Sequence, residues 1–191
     1  MNKAISILSF GVLVFLQPTL AKTDVATLPS IKKVKTGEIK FTAVGKPGFL
    51  KIKGETKGQA PEGEVKIENG IANGEFSFEL KHLTTGIDLR DEHMKEKYLE
   101  ISKFPKARFI LKEINISKDE LNSDFEKSFS GSLNLHGETK KIDGKVSYNG
   151  KEKSLVATFT IKVSDFKIDI PSHMGITVSE TVDVNVQLIL D

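Results

Sequence analysis

The sequence predicts an all-β fold: one antiparallel sheet of about eight strands, closed as a barrel or folded as a sandwich. Apolar and polar residues alternate with a period of two in run after run beyond residue 37. That is the pattern of strands with one dry and one wet face. Turn signals rich in Gly, Pro and Asn separate the runs. A single window of helical spacing, residues 88–101, interrupts them.

The chain begins with an address. Lys3 precedes a 12-residue apolar run, Ile5 to Leu16, followed by Gln17-Pro18 and the small-residue stretch Thr19-Leu20-Ala21. This order of charge, apolar run and small residues predicts a secretory signal peptide, residues 1–21, cleaved after Ala21. The run is short of the roughly 20 residues that a spanning helix needs. The protein is therefore expected to be exported, not membrane-spanning, and periplasmic. Residues 22–35 read as a polar leader, a loose end or a first edge, and residues 36–191 as one domain.

The strands follow in order. Ile39, Phe41 and Ala43 alternate with Lys40 and Thr42, and Leu50 and Ile52 with Lys51 and Lys53. Val65 and Ile67, then Phe76, Phe78 and Leu80, repeat the pattern, as do Phe109 with Leu111 and Leu133 with Leu135. Leu155, Ala157, Phe159, Ile161 and Val163 form one long apolar row, and Val182, Val184, Val186, Leu188 and Leu190 another. Gly45-Lys46-Pro47-Gly48, Pro61-Glu62-Gly63, Asn69-Gly70, Asn73-Gly74, Asp143-Gly144 and Asn149-Gly150 read as turns, Asn69-Gly70 and Asn149-Gly150 as hairpins. Closure of such a sheet buries its apolar face and removes its edges. About eight strands make a barrel that is either filled by side chains or wide enough for one small ligand.

Between Asp88 and Ile101 the period changes. Met94, Tyr98 and Ile101 share one helical face. Asp88 or Asp91 is a candidate N-cap, and Pro105 stops the helix. The segment is positioned to lid one mouth of a barrel.

Composition excludes several functions. The absence of Cys removes disulfides, thiolate metal sites and Cys nucleophiles. A net charge of +2, with acids interleaved among the lysines, gives no footprint for nucleic acid. No nucleophile elbow, zinc-protease helix, P-loop or dinucleotide fingerprint occurs, so no catalytic residues are assigned. Asp91, Glu92 and His93 are consecutive, whereas helical ligands sit three or four apart, so no metal site is assigned. His136 reads as a hydrogen-bonding residue at a strand end.

The residues that point to one apolar interior are Phe41, Leu50, Ile52, Phe76, Phe78, Leu80, Phe109, Leu111, Leu133, Leu135, Phe159 and Ile161. Periodicity alone does not separate a packed core from a tunnel, and composition favours the packed core. Arg90, His93 and Arg108 are the candidate head-group residues at a mouth, the arginines because a guanidinium can grip a carboxylate or phosphate bidentately.

Thr85-Gly86-Ile87-Asp88, Arg90-Asp91-Glu92-His93-Met94, Tyr98-Leu99 and Lys103-Phe104-Pro105-Lys106-Ala107-Arg108-Phe109, together with Gly131-Ser132-Leu133-Asn134-Leu135-His136-Gly137-Glu138-Thr139-Lys140, resemble the YceI-like family. The chain departs from that family's pattern at Gly45, Tyr98-Leu99 and Glu138. The resemblance implies a lipocalin-like antiparallel eight-stranded barrel, exported, with a long apolar tunnel. Its relatives bind polyisoprenoids, isoprenoid quinones or fatty-acid-like amphiphiles. It turns the expectation from packed core to tunnel: a non-enzymatic binder of a long-chain lipid, with no resident cofactor and homodimerisation left open. The alternative is a filled barrel that serves as a scaffold for a surface protein or metal partner.

Overall fold

The computed structural model describes residues 29–46, 50–173 and 176–191. The predicted signal peptide, residues 1–21, and residues 22–28 of the predicted leader lie outside the described residues. In chain order the strands are β1 (Ser30–Lys46), β2 (Leu50–Thr56), β3 (Glu62–Glu68), β4 (Ile71–Glu79), β5 (Leu83–Thr84), β6 (Lys106–Asn115), β7 (Phe125–Leu135), β8 (Glu138–Asn149), β9 (Ser154–Lys162), β10 (Ser172–His173) and β11 (Ile176–Leu190).

The sheet is antiparallel and closed. Its circuit runs β1-β3-β4-β6-β7-β8-β9-β11 and returns to β1, an eight-stranded barrel. Two walls are bent lines made of two strands each. β2 pairs with Lys40 to Gly45 of β1, and β3 pairs with Ser30 to Lys33 further along the same edge. β4 pairs with β3 and β5 with β2, so those two form the next wall, joined by one 3-10 turn, Leu80–His82. The Lys57 N–H donates to the His82 carbonyl at 2.9 Å, which ties the two breaks together. β10 adds a short hairpin arm to the start of β11.

Residues 30–35 of the predicted leader are not a loose end but the start of β1, which begins at Ser30. A register shift against β11 between Val34 and Thr36 changes the parity of the strand. Lys32, opposite the buried Val65, stands on the interior row before the shift, and Ile39 and Phe41 stand on it afterwards. A bulge of this kind transfers every later side chain to the other face, so a simple alternation cannot extend through it.

Three predicted turns are corrected. Of Pro61-Glu62-Gly63, Glu62 and Gly63 already belong to β3, opposite Ser77 and Phe76. Asn73-Gly74 lies inside β4, at a register shift between Ala72 and Gly74. Asp143-Gly144 lies inside β8, with Gly144 directly opposite Phe129. Asn69-Gly70 does close a two-residue hairpin, with φ of 52° and 77° as a type I′ turn requires. His136-Gly137 makes the same turn between β7 and β8, with φ of 51° and 77°. Asn149 ends β8, and residues 150–153 carry the chain into β9.

At the end of the barrel where β5 stops, α1 (Asp88–Glu92) leads straight into one π-helical turn, His93–Tyr98. Ile87 occupies the N-cap with no side-chain cap bond, so neither Asp88 nor Asp91 caps the helix as predicted. The Asp91 carboxylate is committed elsewhere, as described below. Outside, charged residues two apart share the wet face of a strand and pair, among them Lys66 with Glu68 and Lys141 with Asp143.

Candidate functional site

The barrel interior contains a cavity of about 610 Å³ with almost wholly apolar walls. Eleven of the twelve residues predicted to face inward border it: Phe41, Ile52, Phe76, Phe78, Leu80, Phe109, Leu111, Leu133, Leu135, Phe159 and Ile161. Leu50 does not. It is 51% exposed, at the first residue of β2, the outermost position of the row that carries Ile52.

Sequence reasoning missed Phe125 and Phe129 of β7, which also border the cavity. Their row reads Phe125, Lys127, Phe129, Gly131, and the Lys and Gly hid the alternation. Lys127 sits near the barrel end and extends its ammonium to the Asn115 carbonyl at 2.6 Å and to Glu120 at 2.9 Å.

Three phenylalanines form a cluster on the wall. Phe109 stacks on Phe159 with centroids 6.2 Å apart, and Phe129 meets both edge-on at 5.7 and 6.3 Å. Glycines seat these rings. A Cβ at Gly131 would lie 2.4 Å from Phe109 Cζ, one at Gly144 would lie 2.6 Å from Phe129 Cζ, and one at Gly54 would lie 2.1 Å from Phe41 Cζ. The tips of these rings occupy the space that a side chain at each glycine would need.

The helical segment forms one mouth. Arg90, Met94, Tyr98 and Leu99 border the cavity. Asp91 is 9% exposed. Its Oδ2 accepts the Thr84 hydroxyl at 2.5 Å, and its Oδ1 accepts the Thr85 N–H at 2.6 Å and also the Thr85 hydroxyl. Burial opposes the charge, but these hydrogen bonds outweigh it and hold the Asp91 carboxyl below the usual carboxylate range. Arg90 donates from Nε to the Thr85 hydroxyl oxygen at 2.7 Å and from Nη2 to the Thr85 carbonyl at 2.9 Å.

The other two predicted mouth residues are placed differently. His93 is exposed and does not border the cavity, because the inward face of the segment falls on Arg90, Met94 and Tyr98. Arg108 touches the cavity wall but is exposed, on the outward row of β6 with Ser77 and Asn134 as register partners.

His136 fastens the far end of the helical segment. Its Nδ1 faces the Phe166 carbonyl at 3.0 Å, its Nε2 faces Glu100 Oε2 at 2.9 Å, and its ring packs 4.5 Å from Phe104. Hydrogen bonds from Lys103 and His136 lower the Glu100 carboxyl.

The opposite mouth is bordered by Ser30, Lys32, Glu120, Leu121, Asn122, Phe125 and Tyr148. Hydrogen bonds from Lys127 and from the Ser117 N–H and hydroxyl bring the Glu120 carboxyl down to about 2. Burial pushes the Tyr148 phenol up. Among the described residues no three His, Asp or Glu side chains are grouped to hold a metal ion. None of the described helices is long and apolar enough to cross a membrane.

Comparison with known proteins agrees with this architecture. A UPF0312 protein of Pseudomonas putida (strain W619) is 32% identical over 108 residues, 52% of this chain and 52% of that protein. A UPF0312 protein of Pseudomonas syringae pv. tomato is 31% identical over 106 residues, 51% of this chain and 50% of its own. The chain thus spans about half the length of the curated relatives it matches. Among solved structures, a polyisoprenoid binding domain from Saccharophagus degradans aligns over 84% of this chain and 97% of its own, with TM-score 0.62 and 15% identity. Burkholderia cenocepacia BcnA aligns over 80% and 96%, with TM-score 0.56 and 18% identity. At such identity these structures show a common fold. The family model for the YceI-like domain matches residues 33–190, the whole barrel circuit apart from the first residues of β1, and the chain belongs to the YceI-like family.

Proposed function

We propose that this protein is an exported, periplasmic binder of a long-chain amphiphile, of polyisoprenoid, isoprenoid-quinone or fatty-acid type, and not an enzyme. The observation that carries the reading is the interior: an apolar cavity of about 610 Å³ runs where a filled barrel would have its core. This lies within the roughly 300–1,000 Å³ of small-molecule sites, whose walls are mostly apolar with a few polar groups. Burial of an alkyl or prenyl tail there contributes about 0.8 kcal/mol for each CH₂ removed from water. The likeness of the fold to a polyisoprenoid binding domain supports the choice of ligand class, and the signal-peptide pattern of residues 1–21 supports export. The scaffold alternative required a filled interior, so the cavity weighs against it.

Thermal melts in the presence of prenyl and acyl lipids test the reading. A ligand that binds only the folded state stabilises it by mass action, about 2.7 kcal/mol at a hundredfold excess over Kd. The expected result is a melting temperature that climbs with lipid concentration for at least one of the two classes. A melt unmoved through both full titrations would overturn the reading.

A further inference from the structure

We propose that the mouth under the helical segment selects ligands with an anionic head group, a carboxylate or a phosphate, and that Arg90 receives it. The inference rests on the lipid-binding reading and adds the chemistry of the head.

Arg90 stands out among the charged residues that border the cavity. It is half-buried. Two of its five N–H donors go to Thr85, at 2.7 and 2.9 Å. Among the described residues no carboxylate oxygen lies within 4.0 Å of its guanidinium. The nearest acid in its hydrogen-bond network is Asp91, and that carboxylate is already filled by Thr84 and by both polar groups of Thr85. Asp91 reaches Arg90 only through the Thr85 hydroxyl, which donates to Asp91 and accepts from Arg90 Nε. The effect is to orient the guanidinium without neutralising it by contact.

A half-dehydrated cation of this kind, beside an apolar cavity, has no carboxylate in direct contact with it. Its three remaining donors form a planar fork that matches two oxygens of a carboxylate or phosphate, and such charge-assisted bonds are about twice as strong as neutral ones. Because Thr85 fixes the fork beforehand, little ordering is left to occur on binding. A quinone carbonyl or an alcohol would accept a single, weaker bond.

The other cations near the cavity are occupied or turned outward. Lys127 is paired with Glu120. Lys32, at the opposite mouth, donates to the Asp191 main-chain oxygen at 3.2 Å. Arg108 is exposed on the outer face. The head is therefore placed at the helical mouth, with the tail running toward Phe125 and Tyr148.

The test uses ligand pairs that differ only in the head: a long-chain carboxylate against its primary amide, and a prenyl phosphate against the prenyl alcohol. Dissociation constants are measured for wild type, Arg90→Gln, Arg90→Lys and Lys32→Met. Wild type is expected to prefer the anion by about 10-fold or more. Arg90→Gln should reduce that preference to near parity by weakening the carboxylate and the phosphate far more than the amide and the alcohol. Arg90→Lys should retain part of the preference, and Lys32→Met all of it. Four results would overturn the proposal: equal wild-type affinities, a preference that survives Arg90→Gln, a preference lost in Lys32→Met, or an Arg90→Gln variant weakened equally toward both heads, which would make Arg90 only a support for the helix. If wild type binds neither member of either pair, the cavity reading itself fails. Tight binding of the neutral lipids with no anion preference removes only the role of Arg90.

Discussion

At the scale of single residues, phenylalanine rings on the cavity wall take the space that side chains at glycines would fill. Gly144 faces Phe129 across the β7–β8 ladder, and a Cβ there would stand 2.5 Å from the Thr158 carbonyl oxygen and 2.6 Å from the ring. The backbone cannot retreat, since both neighbouring strands hold it. Gly144→Ala is expected to destabilise the protein by about 1–3 kcal/mol, the usual cost of overpacking, measured as a lower urea midpoint. A displaced Phe129 ring would also enter the lumen, so the variant should bind long-chain lipid more weakly than wild type. Unchanged stability and binding would show that the ring is free to move. This contact was hidden in the sequence because Asp-Gly is a turn signal to any local reading. What places Gly144 in mid-strand is its partner across the ladder, fifteen residues away.

At the scale of elements, the helical lid is fastened at both ends by polar groups. Asp91 ties its start to Thr84 and Thr85, and His136 ties its end to Phe104, Glu100 and Phe166. The hydrogen bonds from Thr84 and Thr85 hold the Asp91 carboxyl below the usual carboxylate range despite its burial. A group depressed in the folded state contributes stability that is fully present above its unfolded pKa, near 3.9, and is lost as pH falls through the folded value. Asp91→Asn is therefore expected to cost about 1.5–3 kcal/mol near pH 7, the range for a hydrogen bond to a charged group. On acidification below about pH 4 the gap should shrink. Urea midpoints of wild type and variant across pH 2–7 check this, and the difference between the curves isolates Asp91 from Glu100, Glu120 and the other lowered carboxylates. A gap that widens in acid would contradict the assignment. The lid as an element was legible from Met94, Tyr98 and Ile101, all of which face the cavity or its surrounding core. Its anchor was not, since Thr84 ends the preceding strand, Thr85 follows it in the link to the helix, and neither carries a signal that it serves a helix.

At the scale of the whole molecule, closure joins the two ends of the domain. β1 pairs with β11 from Val34↔Leu190 to Lys46↔Thr177, contacts among the longest-range that this chain can make. The loop entropy of those contacts must be met before the closed sheet offsets it, so proteins built on such pairings refold in milliseconds to seconds. Stopped-flow refolding from urea is expected to fall in that range, and a microsecond phase that recovers the full signal would count against a folding barrier set by closure. Closure also explains the extent of β1. Residues 30–35 look like a polar leader, yet they provide the edges on which β3 and the end of β11 pair.

The sequence by itself determined the strand content, most strand positions, the place of the helical segment and nearly the whole apolar lining, because each depends on a period that neighbouring residues repeat. It also determined the family, through blocks of local pattern. The tertiary structure alone decided that the interior stays open, that Leu50 is exposed, that His93 and Arg108 face outward, and that Arg90 keeps donors without a carboxylate. Each of those depends on what stands near a residue in the closed barrel: a ring in the space beside a glycine, a bulge that changes parity, a threonine between an arginine and an aspartate. A one-dimensional period carries no record of such partners, since they are brought together only when the sheet closes.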